Sequence, residues 1–178
     1  NNFFIYKMLN SVKKYSVVCG FILSCILILM SLIFYLVDPS NLNKSNSYKL
    51  IFYLFIMIFP LVFALNKYSH FDNFKSYFTI LFLSQAISIF FHMIFVLIIY
   101  KLIDGNLFEE YVNINAENFS GSKDNFFSNN LHYNEDYRQD LIDSFNFKNQ
   151  LNSYIFSLLP CIVYSALISL LLKITKKP

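Results

Sequence analysis

Three polar side chains stand out in the third apolar segment of the chain. Gln85, Ser88 and His92 follow each other at i, i+3 and i+7, so they share one face of a helix. A polar face that avoids lipid could line a path for a substrate or a proton, with His92 as the titrating group. The same side chains could instead hydrogen-bond to neighbouring helices and fix their packing. No charged residue lies between Tyr77 and Tyr100, which favours the packing interpretation.

Small residues recur in the first and last apolar segments at every fourth position, a spacing that lets two helices approach closely. We interpret these residues as two helix-packing seams. A contact between the first and last helices would use both seams together. The first seam consists of Ser16, Gly20 and Ser24, and the second of Ser157, Cys161, Ser165 and Ser169.

The remaining chemically active residue types form no recognisable catalytic or metal-binding pattern. Cys19, Cys25 and Cys161 all lie in apolar segments, without the spacing of a metal site or a disulfide framework. The acidic residues of the long loop near the C-terminus lack the pattern of a calcium loop or a catalytic pair. We therefore expect no catalytic residues, no cofactor-binding or metal-binding residues, and a protein that is not an enzyme.

The composition identifies the class of protein that must position these side chains. Apolar residues make up 56% of the 178 residues and charged residues only 14%, against roughly 25% charged in a typical soluble protein. A water-soluble fold of this size could not bury so much apolar surface. The chain also has no basic run suited to nucleic acid, which excludes that class of partner. We predict an integral membrane protein.

Four segments have the composition of transmembrane helices, at about 15–37, 49–66, 76–101 and 152–173. About 20 apolar residues are needed to cross roughly 30 Å of hydrocarbon, and three of the segments meet this length. The segment at 49–66 is the shortest, but Lys49 and Lys67 at its ends can extend to the membrane interfaces. A re-entrant hairpin is the alternative for that segment. The predicted fold class is all-α, a four-helix membrane bundle forming one domain over residues 1–178.

The lysines predict how the bundle lies in the membrane. Four spans place eight bases on one side and two, Lys44 and Lys49, in the short loop opposite. Because cytoplasmic loops carry the excess of Lys and Arg, both ends are expected in the cytoplasm. The inner membrane of a bacterial cell is the expected location, with the mitochondrial inner membrane as the alternative. The eight bases are Lys7, Lys13, Lys14, Lys67, Lys75, Lys173, Lys176 and Lys177.

The loop at 102–151 is the only sizeable part expected in water, and it is acidic. Apolar residues recur at helical spacing in 104–119, which would continue the third helix beyond the membrane. Tyr137, Leu141 and Phe145 mark a second amphipathic segment that leads into the last span. Two short helices lying on the membrane or against each other would also satisfy this pattern.

The order of these features resembles a known family. The first span ends in YLVDP at 35–39, and HFDNFK at 70–75 precedes a long third span that closes on YKLID at 100–104. A last helix then ends in KITKKP at 173–178. This layout resembles the four-span bacterial membrane proteins of domain-of-unknown-function family 4199, typical of Bacteroidota. The resemblance covers nearly the whole chain and implies a bacterial inner membrane and no established activity.

Three functions are compatible with the sequence. The first is a non-enzymatic packing, assembly or accessory protein, whose partners are the lipid bilayer and either further copies of itself or another membrane protein. The second is a small oligomeric transporter or channel that uses the polar face of the third helix. The third is an accessory subunit of an organellar respiratory complex, because such a composition also occurs in proteins encoded by organelles.

Overall fold

The computed structural model describes residues 2–42, 47–67, 73–121 and 131–175, with side chains described for 11–42, 53–65, 73–115 and 138–174. This part of the chain is all-helical and contains no β-strand, which confirms the predicted all-α class. A 3₁₀ turn, Pro39–Leu42, follows the first helix, and a π-helical turn, Ile99–Ile103, closes the third. The helices are α1 (Asn2–Val37), α2 (Ser47–Lys67), α3 (Phe74–Ile98), α4 (Gly105–Gly121), α5 (Leu131–Ser144) and α6 (Phe147–Thr175).

Three stretches of helix are long and apolar enough to cross a membrane. They are Ser11–Val37, Phe74–Ile103 and Phe147–Ile174, and they belong to α1, α3 and α6. α2 contributes a shorter apolar stretch, Tyr53–Leu65, within the described residues. The molecule therefore has the helices of a membrane protein.

The central element of the bundle is α3. It contacts α1, α2 and α6, whereas the backbones of α1 and α6 do not approach each other closely within the described residues. The close approach of the first and last helices that the two seams suggested is therefore not found in this part of the chain. The physical reason is that α3 offers both of them a surface, so α1 and α6 pack on different sides of the same helix.

Contacts along α3 show in which direction each neighbouring helix runs. Gly20 of α1 faces Ile87, and Ser31 of α1 hydrogen-bonds to His92, so α1 and α3 run in the same direction. α2 runs in the opposite direction. Its Leu61 packs in a cluster with Leu81 of α3, and its Tyr53 ring lies 6.4 Å from the His92 ring.

A buried apolar cluster joins the beginning of α3 to its neighbours. α3 begins at a helix cap in which the backbone N–H of Ser76 donates to the Asn73 side chain at 2.8 Å. This bond satisfies one of the donors that a helix start leaves unpaired. Tyr77 then enters the cluster, and Ile168 and Leu172 of α6 pack against it. The cluster consists of Val12, Leu61, Ala64, Tyr77, Ile80 and Leu81.

The chain changes direction at the other end of α3. After the π-helical turn, Asp104 adopts φ −140° and ψ 86°, which ends the helix. The expectation that α4 would continue α3 is therefore wrong. In the described residues α4 instead contacts α5, so these two short helices lie against each other.

An aromatic cluster holds α4 and the turn that follows α5 against the end of α3. The four rings lie edge-on or tilted to one another, with centroids 5.0 to 6.2 Å apart in the pairs that touch. Such geometry is favourable because the positive edge of one ring meets the negative face of the next. The rings belong to Tyr100, Phe108, Tyr111 and Phe145.

Candidate functional site on the third helix

The polar face of α3 is enclosed by protein. The side chains of Gln85 and Ser88 have 0% of their surface exposed, and His92 is partly buried. Because residues 81, 85, 88 and 92 share one face of the helix, the contacts of Leu81 and His92 give the direction of the whole face. Both residues contact α2 or α1, so the polar face points towards those two helices.

His92 is held by a partner on α1. Its Nε2 atom lies 2.8 Å from the hydroxyl oxygen of Ser31, which is itself buried. The bond forms with either tautomer, since the hydroxyl can donate or accept. The sequence pattern did not single out Ser31. A signal was available, because Ser31 lies seven residues after Ser24 and therefore extends the same face of α1.

The serine hydroxyls of α3 are satisfied within their own helix. Ser88 donates to the carbonyl oxygen of Gln85 at 2.9 Å, and Ser84 donates to that of Ile80 at 2.6 Å. A hydroxyl that bonds to its own backbone presents little polarity to a neighbouring helix. These serines therefore act as small residues in the interface and not as an open row of polar groups.

Gln85 is the exception on this face. Both Oε1 and Nε2 of its carboxamide are buried and have no hydrogen-bond partner among the described residues. A buried polar group without a partner costs about 1–3 kcal/mol, and an amide has donors and acceptors to satisfy. The carboxamide is the group on this face that retains the capacity to bind a further polar molecule.

The seam on α1 brings that helix close to the backbone of α3. Ser16, Gly20 and Ser24 are all buried. A Cβ atom added at Gly20 would lie 2.8 Å from Cβ of Ile87 and 3.2 Å from the carbonyl oxygen of Ser84. Real Cβ atoms do not approach so closely, so the glycine is what permits the two helices to touch.

The seam on α6 also faces α3. Cys161, Ser165 and Ser169 are buried and Ser157 is half-buried, while α6 packs on α3 and, near its start, on α5. Both small-residue seams are therefore occupied within the chain.

A tyrosine strengthens the contact between α6 and α3. The Tyr154 hydroxyl donates to the carbonyl oxygen of Ala86 at 3.1 Å, and its ring packs edge-on against Phe90. Tyr164 makes a similar bond from α6 to α2, where its hydroxyl donates to the carbonyl oxygen of Leu54 at 2.9 Å. α6 is thus tied to two helices by hydroxyl groups that reach backbone carbonyls.

A second polar link joins α1 to the beginning of α4. One carboxylate oxygen of Asp104 accepts a hydrogen bond from the Tyr35 hydroxyl at 3.1 Å. The other oxygen accepts from the backbone N–H of Leu107 at 3.0 Å and caps α4. In the sequence, Tyr35 and Asp104 stand out only as parts of longer fragments. An aspartate directly before a helical pattern is a start signal that would have identified the cap.

The described residues offer no constellation for metal or thiol chemistry. No group of three or more His, Cys, Asp and Glu side chains in this part of the chain could hold a metal ion. The cysteines are free thiols, with Cys19 and Cys161 buried and Cys25 exposed on α1. The polar face of α3 therefore stays the candidate site.

A comparison with protein families identifies the family of this chain. The sequence model of the family DUF4199, which is described as “protein of unknown function”, matches residues 18–173. The chain belongs to the DUF4199 family. The match runs from α1 to near the end of α6, and it confirms the resemblance seen in the short sequence fragments. No curated protein and no solved structure matches this DUF4199 member.

Proposed function

We propose that this DUF4199 protein is a non-enzymatic, four-span accessory protein that works through helix packing in the membrane. The observation that supports this most directly is the closure of the polar face of α3. Gln85 and Ser88 have no exposed surface, and His92 is engaged by Ser31. A path for a solute requires polar groups that water can reach, whereas a packing interface requires the opposite.

The direction of the helices supports four spans. α1 and α3 run in parallel, so the chain between them has to return across the membrane. α2 has 21 residues and a rise of about 31 Å, enough for roughly 30 Å of hydrocarbon. Its antiparallel contacts with α3 extend from Leu61 to Tyr53, as a returning helix requires.

The charges support an orientation with both termini in the cytoplasm of an inner membrane. Lys13 and Lys14 of α1, Lys75 of α3 and Lys173 of α6 lie at the same end of the bundle. The α4–α5 pair lies at the opposite end. Loops rich in lysine stay in the cytoplasm, so the α4–α5 pair would face the outer side.

The surfaces that stay open to a protein partner include the outer side of α6 and the α4–α5 pair. Both seams are already occupied by α3, so neither is free for another subunit. α6 instead presents large apolar side chains away from α3, including Phe156 at 70% exposure and Val163 at 59%. A second copy of the chain or another membrane protein could cover this side of α6, as lipid otherwise does.

The proposal is tested by the native mass of the full chain in nanodiscs, with identification of whatever co-purifies. An accessory protein gives a complex that contains at least one further protein chain beside the 21.0 kDa chain. Val163→Glu on the outer side of α6 should weaken that complex, whereas Val62→Glu on the exposed side of α2 serves as a matched control. A lone monomer in both detergent and nanodiscs would contradict the proposal.

The second candidate is a small oligomeric transporter or channel that uses the polar face of α3. The carboxamide of Gln85 has no hydrogen-bond partner among the described residues. This favours the transporter or channel, because the group could bind a polar solute if the helices separated. Solute or ion flux into vesicles that depends on Gln85 would support this function.

A further inference from the structure

A groove separates α1 from α2 on the surface of the bundle. Its volume is about 680 Å³, and its side walls are formed by Val18 and Ile22 of α1 and by Phe59 and Phe63 of α2. These four side chains are 48–57% exposed, so the groove opens towards the surroundings of the bundle.

A hydrogen bond fixes the floor of the groove. The Tyr15 hydroxyl donates to the carbonyl oxygen of Pro60 at 2.8 Å, and both residues line the groove. The bond ties α1 to α2 beneath the open walls. The groove is therefore part of the packed structure of the two helices.

The charge at one end of the groove is positive. Lys14 lines that end and is exposed, while the apolar walls continue towards the middle of α1. The distance from Lys14 to Ile22 along the helix is about 12 Å, at about 1.5 Å per residue. The acidic side chains that the structure describes follow Val37 or lie beyond the end of α3, at the other end of the bundle.

We propose that the groove between α1 and α2 binds one anionic phospholipid, with its phosphate at Lys14 and an acyl chain along the apolar walls. A cation at the membrane boundary followed by an apolar channel matches the order of groups in a phospholipid. Basic pockets between transmembrane helices on the cytoplasmic side bind anionic head groups. This inference goes beyond the proposed accessory function and does not depend on a protein partner.

The neighbouring lysine provides a matched control. Lys13 is also exposed and has the same charge, but it does not line the groove. General attraction to an anionic membrane surface would depend on both lysines alike, whereas a defined site depends on Lys14. Val18 and Val62 form a second matched pair, since both are about half exposed and only Val18 lines the groove.

The experiment uses the full chain reconstituted in vesicles of phosphatidylglycerol and phosphatidylcholine and then extracted in mild detergent. Native mass spectrometry counts the phosphatidylglycerol molecules retained per chain. We expect one retained molecule, a reduction of about fivefold in Lys14→Gln, and little change in Lys13→Gln. Val18→Phe, which fills the groove, should also reduce retention, while Val62→Phe should not.

Several outcomes would contradict the proposed lipid site. Equal losses in Lys14→Gln and Lys13→Gln would show that only the general charge of the bundle attracts the lipid. Equal retention of phosphatidylcholine would contradict the role of the anionic head group. Retention that survives Val18→Phe would place the lipid elsewhere. Circular dichroism of each variant checks that the bundle is folded, and none of these results alters the test of the accessory function.

Discussion

The hydroxyl of Ser31 and the Nε2 atom of His92 lie 2.8 Å apart, and this hydrogen bond joins α1 to α3. Polar residues in a membrane helix are costly unless they find partners. Here the histidine that could have titrated in a transport path is instead engaged with the neighbouring helix. The bond therefore links the polar face of α3 to helix packing.

The Ser31–His92 bond should contribute a measurable coupling energy. We expect a double-mutant cycle of Ser31→Ala and His92→Ala to give about 0.6 kcal/mol, the average for hydrogen bonds between membrane helices. The free energy of unfolding in mixed micelles is the quantity to measure. Cys25→Ala, on an exposed position of α1, should show no coupling to His92→Ala. A coupling of zero for Ser31 would contradict the bond.

Gly20→Ala should destabilise the bundle by about 1–3 kcal/mol, because the added methyl group overpacks the contact with Ile87. Gly105→Ala is the matched control, since a Cβ atom there meets no described atom within 4 Å. That control should be neutral or should stabilise α4 by up to about 1 kcal/mol through helix propensity. Thermal unfolding of both variants in detergent separates the two effects. A Gly20→Ala variant as stable as the parent would refute the close approach of α1 to α3.

Asp104→Ala should loosen the start of α4. The variant loses the cap on the Leu107 N–H, typically worth about 1 kcal/mol, and also the bond from Tyr35. Hydrogen exchange of the first turn of α4 is the direct measurement. Tyr35→Phe removes only the second bond and should leave the exchange of Leu107 protected. Asp140→Ala, at an exposed position of α5, controls for loss of charge.

The sequence predicts the positions of the helices more accurately than it predicts the contacts between them. Long apolar segments indicate where the chain crosses hydrocarbon, because few other structures satisfy the backbone there. They do not indicate where a helix begins. The predicted last span starts at 152, whereas α6 starts at Phe147, because the Asn146 side chain caps it by accepting from the N–H of Asn149.

The sequence pattern could not indicate which helix packs against each small-residue seam. The seams with Gly20 and Ser165 were visible from their spacing, yet spacing does not indicate which helix fills them. Small residues allow a close approach to any helix surface, and lipid gives no hydrophobic preference among helices. The pairing of both seams with α3, and of His92 with Ser31, depends on the three-dimensional arrangement.

The topology can be tested with two single-cysteine variants, Lys44→Cys and Lys75→Cys, in a chain whose three native cysteines are replaced by alanine. Four spans place these positions on opposite sides of the membrane. We therefore expect a membrane-impermeant thiol reagent to label only Lys44→Cys from the outer side. Permeabilised membranes, in which both variants should react, provide the control. Labelling of both from the outer side would mean that α2 re-enters without crossing.

The claim that the polar face of α3 serves as a packing surface is tested most directly at Gln85. We would measure ion and solute flux in vesicles that hold the full chain or Gln85→Leu, together with the stability of each protein. Gln85→Leu removes an amide that has no hydrogen-bond partner in the part of the chain that the structure describes. We therefore expect no flux above empty vesicles from either protein and a stability that is unchanged or raised by about 1–3 kcal/mol. A flux that the parent chain carries and Gln85→Leu abolishes would contradict the packing role.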